Sequence, residues 1–269
     1  MMATPEWRAL NLTLVPRPAT STLTLDPGLA TAPPSTMPTA AQAELIRQLQ
    51  RARALHEERA ASPPLATALD RLAHWQSRRL NATYADLARD ARYAGAIAFF
   101  GRDLYGPGDF SRRDADLARV VPLMGKVLPE GVLATVAGAM ELSVLSHELD
   151  RLLLERLDPA ASLSVAAYSD AYRELDDRRS RERQIALIVT AGEALDRYVG
   201  KPMVRSALAA MRQPARLAGF GALQDLLERG FAAFGRMRGA GELLAAIETR
   251  ETALMNAIFA GDRAPFPEP

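Results

Sequence analysis

The sequence predicts an all-α protein: a single multi-helix bundle of about seven to nine helices with a flexible N-terminal arm. Three observations predict it. Alanine and leucine abound while aromatics make up only 6% of the 269 residues, which favours helix packing over a β-sandwich. From Ala40 onward apolar residues recur every three or four positions, and no stretch reads as an alternating strand. Proline and glycine groups such as Ser62-Pro63-Pro64, Gly200-Lys201-Pro202 and Gly239-Ala240-Gly241 mark the breaks between these stretches. At 48% hydrophobic residues, the chain has apolar material enough for one large domain.

Residues 1–38 are rich in Thr, Pro and Ala without a sustained period, and read as the flexible arm. Leu12, Leu14, Leu23 and Leu25 alternate there with threonine and suit docking as extended chain. The helical domain spans 39–262. Its first helix, 40–61, turns Leu45, Leu49 and Leu55 inward. Pro63 and Pro64 are tolerated in the first turn of a second helix that runs to Asp90. That helix buries Leu65, Leu69, Leu72, Trp75, Leu80, Tyr84 and Leu87, and sets Asp70 one turn from His74 on its surface.

A corner follows between 97 and 114. Ile97, Phe100 and Leu104 share one face of a helix over 92–105. Gly106 suits its C-terminal cap, and Pro107 cannot continue the ladder. Ser111 with Asp114 three residues on is a capping-box pattern, with Asp109 as the rival cap. Phe99, Phe100, Tyr105 and Phe110 anchor the corner in the core. A sharper alternative has Tyr105, Asp109, Arg112 and Arg113 lining a polar site there.

Beyond the corner, the 112–127 helix contains Pro122, which should kink or divide it. Residues 130–157 form the most apolar helix, nearly apolar all round over 131–146 and therefore central. A long helix follows over 163–198, then shorter ones over 202–212, 214–235 and 240–260. The tail, 263–269, is expected to fray.

Composition bounds the chemistry. A net charge of +1 argues for neither nucleic acid nor an anionic membrane surface. With no cysteine, disulfides and thiolate chemistry are excluded. His56, His74 and His147 belong to no Glu-x-x-His or His-Glu-x-x-His pattern, so neither a metal nor another cofactor is expected. The N-terminus lacks a signal-peptide pattern. The longest apolar run, 131–146, is too short for a membrane span and carries Glu141, so a cytoplasmic location is expected.

Four constellations are candidates for function. Glu141, the one charge in 131–146, is either a buried ligand-binding carboxylate or part of a solvent-facing stripe with Gly131, Ala134, Gly138 and Glu148. Ser143, His147 and Asp150 mimic a catalytic triad, but a mid-helix serine has no free backbone N–H groups to build an oxyanion hole, so no catalytic residue is assigned. The run from Asp176 to Arg183 pairs Asp177 with Arg181 and Arg178 with Glu182 as a solvated ion-pair face. Alternatively, Arg179 and Arg183 hold an anion with Tyr172. Gly219-Phe220-Gly221 lacks the third glycine and the preceding strand of a dinucleotide site, and reads as close helix packing.

Several blocks resemble a family of uncharacterised bacterial helical proteins. They are Trp75-Gln76-Ser77 with Arg79-Leu80, Thr83-Tyr84 with Asp86-Leu87, the Phe99–Asp114 corner, Gln184-Ile185, and Leu223-Gln224 with Gly230-Phe231 and Phe234. The resemblance spans most of 70–255. Gly101 departs from it, since the family favours a bulky apolar residue after the paired phenylalanines. The resemblance implies an all-α fold and no particular activity.

The expected function is a non-enzymatic interaction or regulatory protein that acts through protein contacts, as a homodimer or with another protein. The alternative is a binding protein that holds a small apolar or amphipathic ligand between helices.

Overall fold

A computed structural model of the protein describes residues 38–104, 109–158 and 161–269. The expected arm therefore lies outside the described residues, except for Pro38. Among the described residues there are eleven α-helices, one π-helical turn and no strand. The helices are α1 (Ala40–Ala61), α2 (Pro63–Thr83), α3 (Ala85–Ala88), α4 (Ala91–Phe99), α5 (Ser111–Val127) and α6 (Glu130–Leu154). They continue with α7 (Val165–Glu174), α8 (Arg178–Val199), α9 (Pro202–Leu217), α10 (Gly221–Met237) and α11 (Gly241–Phe259). The π-helical turn Phe100–Leu104 extends α4.

The count exceeds seven to nine because two expected rods break. The second helix ends at Thr83, and Tyr84 leaves helical geometry before α3. The rod expected over 163–198 is two helices. Asp176 adopts a left-handed backbone with φ of 48°, and the Asp177 carboxylate caps α8 by accepting from Ser180 N at 3.0 Å. A later boundary also moves. Pro214 sits inside α9, and the break comes at Gly219, whose φ of 80° favours glycine.

Other boundaries follow local rules. Ser62 accepts from Leu65 N at 3.4 Å, with Pro63 and Pro64 in the first turn of α2. Asp109 accepts from Ser111 N at 2.8 Å and so helps start α5. The expected capping-box partner, Asp114, is instead engaged by His56 and Arg113. Pro122 lies inside α5 without dividing it. Gly106 and Pro107 lie outside the described residues.

Three apolar clusters hold the helices together. One joins α4, α8, α10 and α11 around Phe234, Met237 and Leu243. A second joins α2, α6, α7 and α11 around Trp75, Leu153, Tyr168 and Met255. A third packs α1 on α5 and α6 through Leu45, Val121 and Val144. Each fully buried leucine or phenylalanine contributes about 1.5–3 kcal/mol.

α6 supplies residues to all three clusters, as befits a central helix. It is also long and apolar enough by composition to cross a membrane. One stripe stays open, however. Gly131 and Ala134 are exposed, and Glu141 and Glu148 bind arginines of α8 and α1. The tail expected to fray packs instead. Phe266 lies 6.0 Å from Trp75 and 6.3 Å from Tyr168, ring to ring, and Glu268 accepts from Val165 N at 2.8 Å.

Candidate ligand-binding pocket

Where the first two clusters meet, the walls of α2, α4, α7, α8 and α11 leave a cavity of about 90 Å³. Helical spacing presents the polar lining. α2 contributes Gln76 and Arg79, one turn apart, with Tyr84 just beyond its end. α8 contributes Arg181 and Gln184, followed by Ile185 and Ile188. α7 contributes Tyr168 and Tyr172, and α11 contributes Leu243, Ile247 and Glu251. Phe266 of the tail closes one side.

The two arginines are in different electrostatic positions. Arg79 Nη1 donates to both oxygens of Glu251, at 2.7 and 2.9 Å, and Tyr84 donates to the same carboxylate at 2.8 Å. Arg79 and Glu251 are only 13% and 15% exposed. Burial alone would favour deprotonating Arg79, but the Glu251 charge beside it holds its pKa above the usual arginine value. The Tyr84 phenol is pushed up, first by burial and then by Glu251.

Arg181 is 6% exposed and has no carboxylate within ion-pair distance among the described residues. Its guanidinium lies 4.2 Å over the Tyr172 ring and donates to Gln184 Oε1 at 3.2 Å. Gln184 in turn donates to Ser146 Oγ at 2.8 Å. The Arg181 charge acts on Asp150 of α6, which accepts from Gln76 Nε2 at 2.8 Å. Burial raises the Asp150 carboxyl above the ordinary aspartate range, against the Gln76 hydrogen bond and the Arg181 and His147 charges.

Among the described residues, two of the buried side-chain nitrogens with no hydrogen-bond partner in the protein are Arg79 Nε and Arg181 Nη2. Both belong to residues that line this cavity. The lining arginines therefore carry donors without partners, while the carboxylate of the lining, Glu251, is already engaged.

Residues 55–265 match a family model described as a Domain of unknown function, DUF8198. The chain belongs to the DUF8198 family. All of the lining named above falls in the matched DUF8198 region except Phe266, one residue past its end. No curated protein and no solved structure matches the chain.

The residues singled out from the DUF8198 sequence mostly lie elsewhere. Tyr105 is outside the described residues. Asp109 caps α5, and Arg112 is exposed. Arg113 donates to Asp114 at 2.7 Å and to Ser143 Oγ at 3.3 Å, and covers the Phe110 ring. Glu141 forms a bidentate pair with Arg183, both bonds at 2.7 Å, on the partly exposed stripe of α6. Arg179 is exposed. Tyr172 does meet an arginine, but it is Arg181, not Arg179 or Arg183.

The apparent triad is not assembled. His147 Nδ1 bonds the Ser143 backbone carbonyl at 2.7 Å, and Asp150 is held by Gln76. Burial lowers the His147 pKa, partly offset by Asp150. His74 likewise bonds the Asp70 backbone carbonyl, while the Asp70 carboxylate binds Arg59. Among the described residues, no group of three or more His, Asp or Glu side chains is placed to hold a metal ion.

Sequence reasoning passed over Arg79, Arg181, Gln76, Gln184 and Glu251. A signal was present for most of them: Gln76, Arg79, Tyr84 and Gln184 all fall in the blocks that carry the family resemblance. Arg181 was hidden by its setting in a charge-rich run.

Proposed function

We propose that this DUF8198 chain is a non-enzymatic bacterial binding protein of the cytoplasm that holds a small amphipathic molecule between its helices. One observation carries the reading: Arg79, Arg181 and Tyr84 line a cavity together with the polar side chains of Gln76, Gln184 and Glu251 and the apolar ones of Ile185, Ile188, Leu243 and Ile247. Ser143, His147 and Asp150 are engaged with other groups, which supports binding over catalysis. α6 is read as a core helix because Leu133, Leu149 and Leu153 are buried and Glu141 and Glu148 bind arginines of other helices.

Native mass spectrometry of the protein purified from its own cells tests the reading. A bound small molecule should appear as a discrete added mass on the folded chain and vanish on denaturation. Ile247→Trp, which fills the cavity, should abolish it. A folded wild-type chain of unmodified mass overturns the reading.

A second reading, contact with a second copy of the chain, draws on α9. Only Ala215 of that helix is buried, while Met203 and Leu217 are 81% and 88% exposed. An open groove of about 420 Å³ runs between α9 and α10 over Leu208 and Phe231. Exposed apolar side chains on one helix suit an interface. Light scattering should give a dimer that Met203→Glu with Leu217→Glu converts to monomer. A wild-type monomer at micromolar concentration removes this reading.

A further inference from the structure

We propose that the molecule held in the pocket is a small monocarboxylate with a short apolar body, and that Arg181 is its anchor. This rests on the binding reading above and names the ligand class. Hydrogen-bond supply and demand give the first argument. The unpartnered nitrogens of the residues that line it, Arg79 Nε and Arg181 Nη2, are donors. The wall's one carboxylate, Glu251, already accepts two bonds from Arg79 and one from Tyr84. A cationic ligand meets no free carboxylate, and a neutral amide lacks the charge that would offset a buried guanidinium. A carboxylate accepts only, and so suits a wall whose arginines have donors to spare.

Charge gives the second argument. Arg79 and Glu251 neutralise one another, but among the described residues Arg181 has no ion pair: it packs on Tyr172, donates to Gln184 and interacts through its charge with Asp150. A buried guanidinium without a paired anion is costly, and a ligand carboxylate relieves that cost. Arginine's planar fork also suits carboxylate geometry.

Shape and polarity narrow the class further. About 90 Å³ is far below the several hundred Å³ of a drug-sized or nucleotide site. Ile185, Ile188, Leu243 and Ile247 line the cavity with apolar surface. A bare inorganic oxyanion leaves that surface against water, whereas an alkyl chain covers it.

Isothermal titration calorimetry on the full chain tests the proposal. The probes are straight-chain carboxylates from acetate to octanoate, each paired with its neutral amide, together with inorganic phosphate. The expected result is that at least one carboxylate binds about tenfold or more tighter than its amide, the equivalent of one charge-assisted hydrogen bond. Arg181→Met should remove that preference, whereas Arg53→Gln, at an exposed position on α1, should retain it. The wild-type carboxylate–amide ratio is decisive even if Arg181→Met does not fold. Equal binding of acid and amide overturns the carboxylate assignment but leaves the binding reading standing. Binding of phosphate alone replaces the ligand class. No binding by any probe, with native mass spectrometry showing a bare chain, overturns both.

Discussion

Replacing Arg181 with methionine should stabilise the unliganded protein, an unusual outcome for a residue only 6% exposed. The losses can be itemised. The cation–π contact to Tyr172 at 4.2 Å is worth about 2 kcal/mol when desolvated. The 3.2 Å hydrogen bond to Gln184 adds about 1.5 kcal/mol. Against these stands the penalty of keeping a guanidinium out of water with no ion-pair partner, several kcal/mol. Methionine retains most of the apolar stem and leaves Gln184 bonded to Ser146. The net expectation is a gain of about 1–3 kcal/mol, within the range seen when buried charges give way to apolar side chains. Arg79→Met is the contrast. It strands Glu251 with Tyr84 as its one remaining partner and should cost about 3–5 kcal/mol. Urea unfolding followed by circular dichroism at pH 7 measures both. If Arg181→Met destabilises as much as Arg79→Met, Asp150 already balances Arg181, and the charge argument for an anionic ligand fails.

Further predictions concern the frame around the pocket. Asp114, hydrogen-bonded at 2.9 Å to His56 and 2.7 Å to Arg113, keeps a carboxyl pKa below the ordinary 3.8 although burial works against it. Its stabilising contribution is present above that pH and lost as pH falls through the lower folded value. Asp114→Asn should therefore cost about 3 kcal/mol at pH 7 and flatten the acid limb of the stability curve, and an equally steep limb would contradict this. Gly138→Ala, with nothing within 4 Å of the added carbon, should stabilise α6 by about 1 kcal/mol. In Gly192→Ala the new carbon collides with the buried Leu244 side chain, so crowding of about 1–3 kcal/mol should outweigh the helix gain; chemical denaturation ranks the two, and the reverse order would contradict the packing of α8 on α11. Phe266→Ala should lose about 2 kcal/mol through its contacts with Trp75 and Tyr168. It should also speed amide exchange at Val165, whereas a frayed tail would leave both unchanged.

Much of the frame was legible because it follows from local backbone chemistry. Helical periodicity, the break at Ser62-Pro63-Pro64, the start of α5 at Ser111 and the glycine turn before α11 each depend on a few neighbouring residues. The long apolar stripes likewise placed Leu45, Leu72, Trp75 and Phe234 inside. Asp177 and Arg181 show where local rules mislead. On one continuous helix they make an i, i+4 ion pair. Once Asp176 turns left-handed, Asp177 becomes a cap, and Arg181 packs on Tyr172 of the preceding helix.

By itself, then, the sequence determined an all-α chain and most of its helix ends, since those depend on residues within a turn or two of one another. Tertiary structure alone decided the pocket. Arg79 meets Glu251 across 172 residues, and Gln76 meets Asp150 across 74. Whether a charged side chain lies in water or against an aromatic ring depends on how separate helices rotate when their apolar faces close. No neighbouring residue records that rotation.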